Sequence, residues 1–117
     1  MSTIHVEELE IFTIIGIKQE ERDNKQKLLI DYWLEVDISR PMISDEIDDC
    51  VNYRSINKDV LFAVEKSTYN TIERLMNDLL EIILGFDGVL HAKVRIAKPG
   101  ALRYSKNVSI TTERLAP

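Results

Sequence analysis

Lys98 is the first residue of this sequence whose type and position could do chemistry. The segment 90–96 alternates apolar and polar side chains, as a β-strand does, and Lys98 lies just beyond it, directly before Pro99 and Gly100. Because proline disfavours helical geometry in the residue before it, Lys98 is expected where a strand enters a turn. A primary amine there could reach a bound ligand. The alternative is an ordinary solvated hairpin lysine.

Two other short segments and one single residue place acids or a phenol near the ends of predicted helices and strands. They are Gly16–Glu21, Asn52–Arg54 and Glu73. Each also has an ordinary structural explanation. The first suits a solvated turn, the tyrosine of the second suits a half-buried gap, and the glutamate suits the free N–H groups of a helix's first turn. His5 and His91 lack a metal-ligand spacing with any Asp or Glu, so we expect no metal site.

The composition limits the class of protein. The chain has 117 residues, 44% of them hydrophobic and 30% charged, which is typical of one globular domain over residues 1–117. Lys and Arg number 15 against 20 Asp and Glu, a formal net charge of −5 that argues against nucleic-acid binding. We find no membrane span or signal core, and one cysteine, Cys50, cannot form an internal disulfide. We therefore expect a cytoplasmic protein.

The first strand is predicted over residues 4–15, which are rich in β-branched side chains and end before Gly16. The parity of its apolar positions changes along the segment. This change indicates either a β-bulge or a strand covered on both faces. A charged connection over residues 18–25 follows.

The second strand, residues 28–38, shows the strictest alternation, with an apolar face of six residues. Leu29 and Trp33 are apolar residues on its other, largely polar face. Pro41 is predicted to end the strand, and a polar, turn-rich loop over residues 44–52 follows.

Two amphipathic helices come next. An apolar stripe with helical spacing covers residues 56–64, and a broader one covers residues 72–83. Asn70 and Glu73 have the spacing of a capping box at the start of the second helix, and Gly85 is expected to end it.

Alternation predicts a third strand over residues 90–96 and a fourth over 108–111, so the element order is β-β-α-α-β-β. Two amphipathic helices need an apolar sheet face, which gives an α+β fold with both helices on one face of an antiparallel sheet. A four-stranded sheet has two unpaired edges, and its second face is not fully polar. We therefore expect an oligomer, with edge pairing into a closed ring as one arrangement.

The sequence resembles the dihydroneopterin aldolases of folate synthesis in segments that follow in order along nearly the whole chain. These segments are Gly16-Ile17-x-x-x-Glu21 with Gln26, Asp45-x-x-Asp48-Asp49-Cys50-x-x-Tyr53, Ile72-Glu73-Arg74-Leu75, Val94-x-Ile96-x-Lys98-Pro99-Gly100-Ala101, and Val108 with the Glu113-Arg114 ending. The resemblance implies the tunnelling fold, whose β-β-α-α-β-β order agrees with the predicted order. It also implies a tetrameric ring that forms an oligomeric barrel, usually stacked in pairs as a homo-octamer, with ligand sites between subunits.

The resemblance implies a pterin as substrate and Glu73 as the residue that binds it. Glu73 matches the glutamate that accepts hydrogen bonds from the ring N–H and amino group of the pterin, a bidentate geometry that is both strong and orienting. Ile72 and Asn52 are the further candidates for substrate binding.

The catalytic residues implied by the resemblance are Lys98, Tyr53 and Glu21. Lys98 matches the lysine that acts with an ordered water in proton transfer, and Tyr53 matches a tyrosine reaching across from the adjacent subunit to help protonate the intermediate. Glu21 matches the glutamate that holds the lysine and the water. The choice of Glu21 over Glu20 rests on counting from Gly16.

The chemistry implied by the family needs no cofactor. In 7,8-dihydroneopterin the C6=N5 imine serves as the electron sink, so neither a Schiff base nor a metal is required. Removal of the 2′-hydroxyl proton breaks the C1′–C2′ bond and releases glycolaldehyde, and protonation then gives 6-hydroxymethyl-7,8-dihydropterin. Lysine and tyrosine have ordinary pKa values of about 10, so the identity of the general base stays open.

Part of the sequence looks more like the sister enzyme, dihydroneopterin triphosphate 2′-epimerase, which re-forms the bond on the other face. Lys18, Arg54 and Arg103 are extra cations that would suit a triphosphate tail. Lys98-Pro99-Gly100 and the Glu113-Arg114 ending favour the aldolase, which is our first expectation, and one protein with both activities is also an open alternative.

A function of another class is a non-catalytic ring protein that binds a pterin or purine. Such a protein would keep Glu73 but would have no use for Lys98 and Tyr53 together. Their joint presence favours an enzyme.

Overall fold

Four antiparallel strands form one sheet, in which each strand pairs with the next one along the chain. The computed structural model describes residues 1–117. Its strands are β1 (Ser2–Thr13), β2 (Gln26–Val36), β3 (His91–Pro99) and β4 (Asn107–Leu115). Neighbours in the sequence are therefore neighbours in the sheet, and β1 and β4 are its edges.

The helices are α1 (Gln19–Asp23), α2 (Ser39–Ser44), α3 (Tyr53–Lys66) and α4 (Ile72–Leu84), with a short 3-10 turn at Ile47–Asp49. The predicted β-β-α-α-β-β order of the long elements and the α+β class are confirmed. None of these helices has the length and apolar character needed to cross a lipid bilayer.

The core lies between one face of the sheet and the inner faces of α3 and α4. The alternation on β2 and the two helical stripes predict its principal members, which are Leu28, Ile30, Tyr32, Leu34 and Val36 on β2, Ile56, Val60 and Val64 on α3, and Leu75, Met76, Leu79, Leu80 and Ile83 on α4. Burial of these side chains supplies most of the free energy that holds the two layers together.

The parity change in the first strand is a β-bulge. Along β1 the pairing passes from Val6 opposite Tyr32 to Leu9 opposite Ile30, so three steps on β1 face two steps on β2. Glu8, within the bulge, has a φ of 45°. The bulge lets apolar residues before and after it face the same core.

The charged connection over residues 18–25 contains a short helix, α1, which has no apolar stripe and was not predicted. One prediction about the connections is wrong. Pro41 does not end β2, which stops at Val36; Pro41 lies in the first turn of α2, where a missing N–H leaves no helical hydrogen bond unmade.

The predicted cap of α4 is wrong by one residue. Thr71, not Asn70, is the N-cap, and its hydroxyl accepts the Arg74 backbone N–H at 3.2 Å. The extended backbone of Thr71 gives its side chain the geometry of an N-cap. Glu73 lies in the first turn of α4, as predicted.

Leu79→Ala tests the assignment of the core. Leu79 is fully buried, so the truncation is expected to lower the free energy of unfolding by about 2–5 kcal/mol, through lost burial and the cavity left behind. Urea unfolding at one protein concentration measures the change. Leu102→Ala, at a leucine that is 61% exposed, is the matched control and should change stability by less than about 0.5 kcal/mol.

Candidate functional site

An ion pair between Lys98 and Glu21 marks the candidate site. The Lys98 Nζ donates to the Glu21 Oε2 at 2.5 Å, and each side chain is only 17% exposed. The two residues are 77 positions apart in the sequence. The fold therefore brings together two of the residues that the sequence predicted as catalytic.

The alternation of β3 aims Lys98 at the helix-covered face of the sheet. Ala92, Val94 and Ile96 point into the core and are fully buried. Lys98 has the same parity and pairs with Val108 on β4, so its side chain continues this apolar row beyond the end of the core. The amine thus emerges where the core ends, half-sheltered by protein, rather than on the solvated face.

The turn before α1 brings the Glu21 carboxylate to the amine. The Glu21 Oε1 accepts the Lys18 backbone N–H at 3.2 Å. Gly16 has a φ of +119°, and a Cβ built on it would lie 2.4 Å from the Glu21 carboxyl carbon. Gly16 is therefore needed both for its backbone conformation and for the space that the carboxylate occupies.

The charge state of Glu21 follows from these contacts. The hydrogen bond from the Lys98 ammonium, followed by that from the Lys18 backbone N–H, holds the pKa of Glu21 below its ordinary value. At neutral pH the carboxylate is ionised and can only accept hydrogen bonds. It can orient an ammonium group or a water molecule next to the lysine.

An open polar cleft of about 380 Å³, the lysine cleft, surrounds this pair. It is lined by Lys18, Glu20, Glu21, Asn24, Gln26 and Lys98 together with the turn Pro99–Ala101. The turn itself depends on Gly100, which has a φ of +68°. Asn24 is a lining residue that the sequence interpretation missed.

Tyr53 lines a different cavity, which we call the tyrosine cleft. This cleft has a volume of about 480 Å³ and is formed by residues from Ile47 to Arg54. Tyr53 is the first residue of α3 and is 49% exposed. The Asn52 side-chain oxygen accepts the Ser55 backbone N–H at 3.1 Å and caps α3. Within one chain, Tyr53 and Lys98 are not brought together.

Glu73 and Ile72 begin α4 and line neither cleft. Glu73 is exposed and Ile72 is partly buried against the core. The loop before α4 does contact the α1 region, since the Gly16 N–H donates to the Tyr69 carbonyl at 3.3 Å. Glu73 therefore follows a loop that is tied to the turn holding Glu21.

The three predicted phosphate-binding cations lie in three places. Lys18 lines the lysine cleft, and Arg54 lines the tyrosine cleft. Arg103 lies in the exposed loop after β3, with its guanidinium carbon 5.6 Å from the centre of the Tyr104 ring. The structure does not assemble them into one site within a single chain.

Arg22 is the supporting residue that the sequence interpretation missed. Its Nη1 donates to the Thr68 carbonyl at 2.8 Å, and the Gly16 and Tyr69 carbonyls lie 3.4 Å away. No local signal could have revealed this role, because two of the three acceptors are 46 and 47 residues distant.

Comparisons with known proteins identify the family of this chain. The family model described as FolB, dihydroneopterin aldolase, matches residues 4–113. Dihydroneopterin triphosphate 2′-epimerase of Escherichia coli (strain K12) is 35% identical over 108 residues, which are 92% of this chain and 90% of that protein. Dihydroneopterin aldolase of the same strain is 29% identical over 114 residues, 97% of this chain and 93% of that protein.

A solved structure agrees with the fold. The crystal structure of E. coli dihydroneopterin aldolase in complex with neopterin gives a TM-score of 0.91 at 30% sequence identity. The match covers 97% of this chain and 99% of that chain. The resemblance seen in the sequence motifs is confirmed at the level of the family.

Glu21→Gln tests the ion pair through its pH dependence. The pKa of Glu21 in the folded state lies below its ordinary value of 4.5, so the pair stabilises the fold above that pH and loses its effect as the pH falls through the folded-state pKa. At pH 7 the variant should lose about 1 kcal/mol of unfolding free energy. The difference from wild type should shrink as the pH falls below 4.5.

Urea unfolding at fixed protein concentration from pH 7 to pH 3.5 measures this difference. Glu20→Gln is the matched control, because Glu20 is an exposed neighbour and Glu21 is the one that contacts Lys98. Equal, pH-independent effects of the two substitutions would contradict the assignment of the pair.

Proposed function

This chain belongs to the FolB family of pterin-handling enzymes of folate biosynthesis, and from that premise we propose that it catalyses a retro-aldol reaction on 7,8-dihydroneopterin. The products are 6-hydroxymethyl-7,8-dihydropterin and glycolaldehyde. The observation that carries the proposal is the Lys98–Glu21 pair in the lysine cleft, with 2.5 Å between Nζ and Oε2. A lysine held by a carboxylate at a strand end can serve proton transfer without a cofactor.

The proposed reaction balances with groups of this chain and water. The 2′-hydroxyl proton passes to the neutral amine form of Lys98, directly or through a water molecule oriented by Glu21, and Lys98 becomes the ammonium that pairs with Glu21. The C1′–C2′ bond breaks, C2′ becomes the aldehyde carbon of glycolaldehyde, and the bonding electrons pass into the C6=N5 imine. N5 takes up a proton to give the enaminol. Protonation at C1′ and loss of the N5 proton then regenerate the imine and give the hydroxymethyl group.

The proposal includes assembly of the chain. Glu73 would bind the ring and Tyr53 would assist protonation, yet neither lines the lysine cleft. The edges β1 and β4 are unpaired. Pairing of these edges between copies, as in a tetrameric ring stacked into an octamer, would let one subunit's tyrosine cleft complete the lysine cleft of its neighbour.

The 2′-epimerase reaction on the triphosphate is the second candidate. The identity of 35% to an epimerase, against 29% to an aldolase, favours it. The triphosphate is carried by C3′, so it leaves with the glycolaldehyde fragment after cleavage. Cations that hold this fragment in place would favour its re-addition to C1′ on the other face. Lys18, Arg54 and Arg103 are the candidates for that task.

Lys98→Ala tests the catalytic proposal. The variant is expected to lose at least about 100-fold in kcat on dihydroneopterin, because the group that moves the proton is gone, and to retain neopterin binding within about 3-fold. Glycolaldehyde release, with chromatography of the pterin product, measures turnover, and isothermal titration with neopterin measures binding. Lys25→Ala, at an exposed lysine outside the cleft, should behave as wild type.

The same assay distinguishes the two reactions. Wild-type protein is incubated separately with dihydroneopterin and with its triphosphate. Release of glycolaldehyde from the first supports the aldolase, and a change of 2′ stereochemistry alone in the second supports the epimerase. Binding of neopterin without turnover of either compound would show a non-catalytic pterin-binding protein.

Arg103→Gln tests the role of the exposed cation. If its guanidinium holds the triphosphate, kcat/KM should fall roughly 5- to 10-fold on dihydroneopterin triphosphate and less than 2-fold on dihydroneopterin. Arg40→Gln is the control, since Arg40 is an exposed arginine paired with Asp49 outside the lysine cleft. Equal losses on both substrates would contradict a role in phosphate recognition.

A further inference from the structure

The Arg22 guanidinium donates hydrogen bonds to backbone carbonyls rather than pairing with an acidic side chain. The Nη1 atom lies 2.8 Å from the Thr68 carbonyl oxygen and 3.4 Å from those of Gly16 and Tyr69. The side chain is partly buried. A guanidinium carries several donors in one rigid plane and can therefore hold acceptors from different segments of the chain.

The position of Arg22 in the sequence links this cluster to the lysine cleft. Arg22 directly follows Glu21 in α1, and successive residues of a helix point about 100° apart. Glu21 can thus face Lys98 while Arg22 faces the loop between α3 and α4. One helical turn holds both contacts.

The loop that receives Arg22 is itself fixed to α4. The Tyr69 hydroxyl donates to the Asp78 carboxylate, and the Arg74 guanidinium lies over the Tyr69 ring at 5.6 Å. The Gly16 N–H gives a further bond to the Tyr69 carbonyl. Displacement of α1 therefore has to break contacts to a loop that α4 holds in place.

The helix carrying Glu21 has little stability of its own. It has five residues and no buried side chain, whereas isolated helices shorter than about 12 residues are marginal in water. Its position must come from tertiary contacts, which include the Glu21–Lys98 pair and the hydrogen bonds of Arg22 to the loop before α4. Small displacements of a catalytic group cost rate steeply, on the order of 100-fold for about 1 Å.

We infer that Arg22 is a positioning residue that fixes α1 to the loop before α4 and so keeps the Glu21 carboxylate within hydrogen-bonding distance of the Lys98 amine. The inference rests on the proposed function of the Lys98–Glu21 pair. Arg22 does not contact the substrate in this proposal; it controls only the position of the Glu21 carboxylate. Loss of the guanidinium should therefore lower kcat and leave KM nearly unchanged.

Arg22→Met tests this inference. The apolar variant keeps the length of the side chain but has no donor, and kcat on the substrate that wild type turns over should fall roughly 10- to 100-fold, with KM within about 2-fold. Arg22→Lys keeps a charged donor and should recover a large part of kcat. Added guanidinium ion, in the millimolar range, should raise the rate of an Arg22→Ala variant and have no such effect on wild type.

Controls separate positioning from unfolding and from failure of the proposed function. Rates are measured well below the midpoint of thermal unfolding of each variant, and Arg40→Met reports the effect of losing an exposed arginine. Wild-type turnover with an unchanged kcat in Arg22→Met would overturn the inference alone, and so would a loss that neither lysine nor guanidinium restores. A wild type without turnover on either dihydroneopterin compound would overturn the proposed function.

Discussion

The contact on which the candidate site depends is the partly buried pair of Lys98 and Glu21. Withdrawing two charges from water costs free energy that their attraction offsets only in part, so such a pair is a weak source of stability. The surrounding structure nevertheless makes room for it. Gly16 leaves the space that the carboxylate fills, and β3 delivers the amine at the end of an apolar row. This arrangement fits the proposed catalytic role of the pair better than a role in stabilising the fold.

The main elements could be predicted from the sequence because burial is periodic. Every second residue of β2 from Leu28 to Val36 is buried, and α4 buries one stripe of apolar side chains. Both patterns can be recognised in the sequence alone. The short helix α1 could not be predicted, because it has no apolar stripe and because the carbonyl that Arg22 binds lies far along the chain. The cap of α4 was misplaced because Asn70 and Thr71 are both good capping residues, and the backbone path decides between them.

The candidate site was predictable in composition but not in arrangement. Spacing from Gly16 favoured Glu21 over Glu20, and the structure places Glu21 against Lys98. No sequence pattern indicates a contact across 77 residues, and only resemblance to a family suggested it. The role of Asn52, by contrast, follows from local sequence. Its side chain caps α3, and asparagine is a common N-cap residue directly before a helix.

The proposed retro-aldol cleavage has two possible outcomes, and release or retention of the aldehyde fragment decides between them. Cleavage of the C1′–C2′ bond is common to both reactions. Free glycolaldehyde is small and uncharged, so an open polar cleft such as the one around Lys98 has little means of retaining it. A fragment bearing a triphosphate would instead be held by cations, and a retained aldehyde can rotate and re-add to the enaminol. On the proposed mechanism both reactions use the Lys98–Glu21 pair, and selection between aldolase and epimerase would depend on the cations that reach the tail of the substrate.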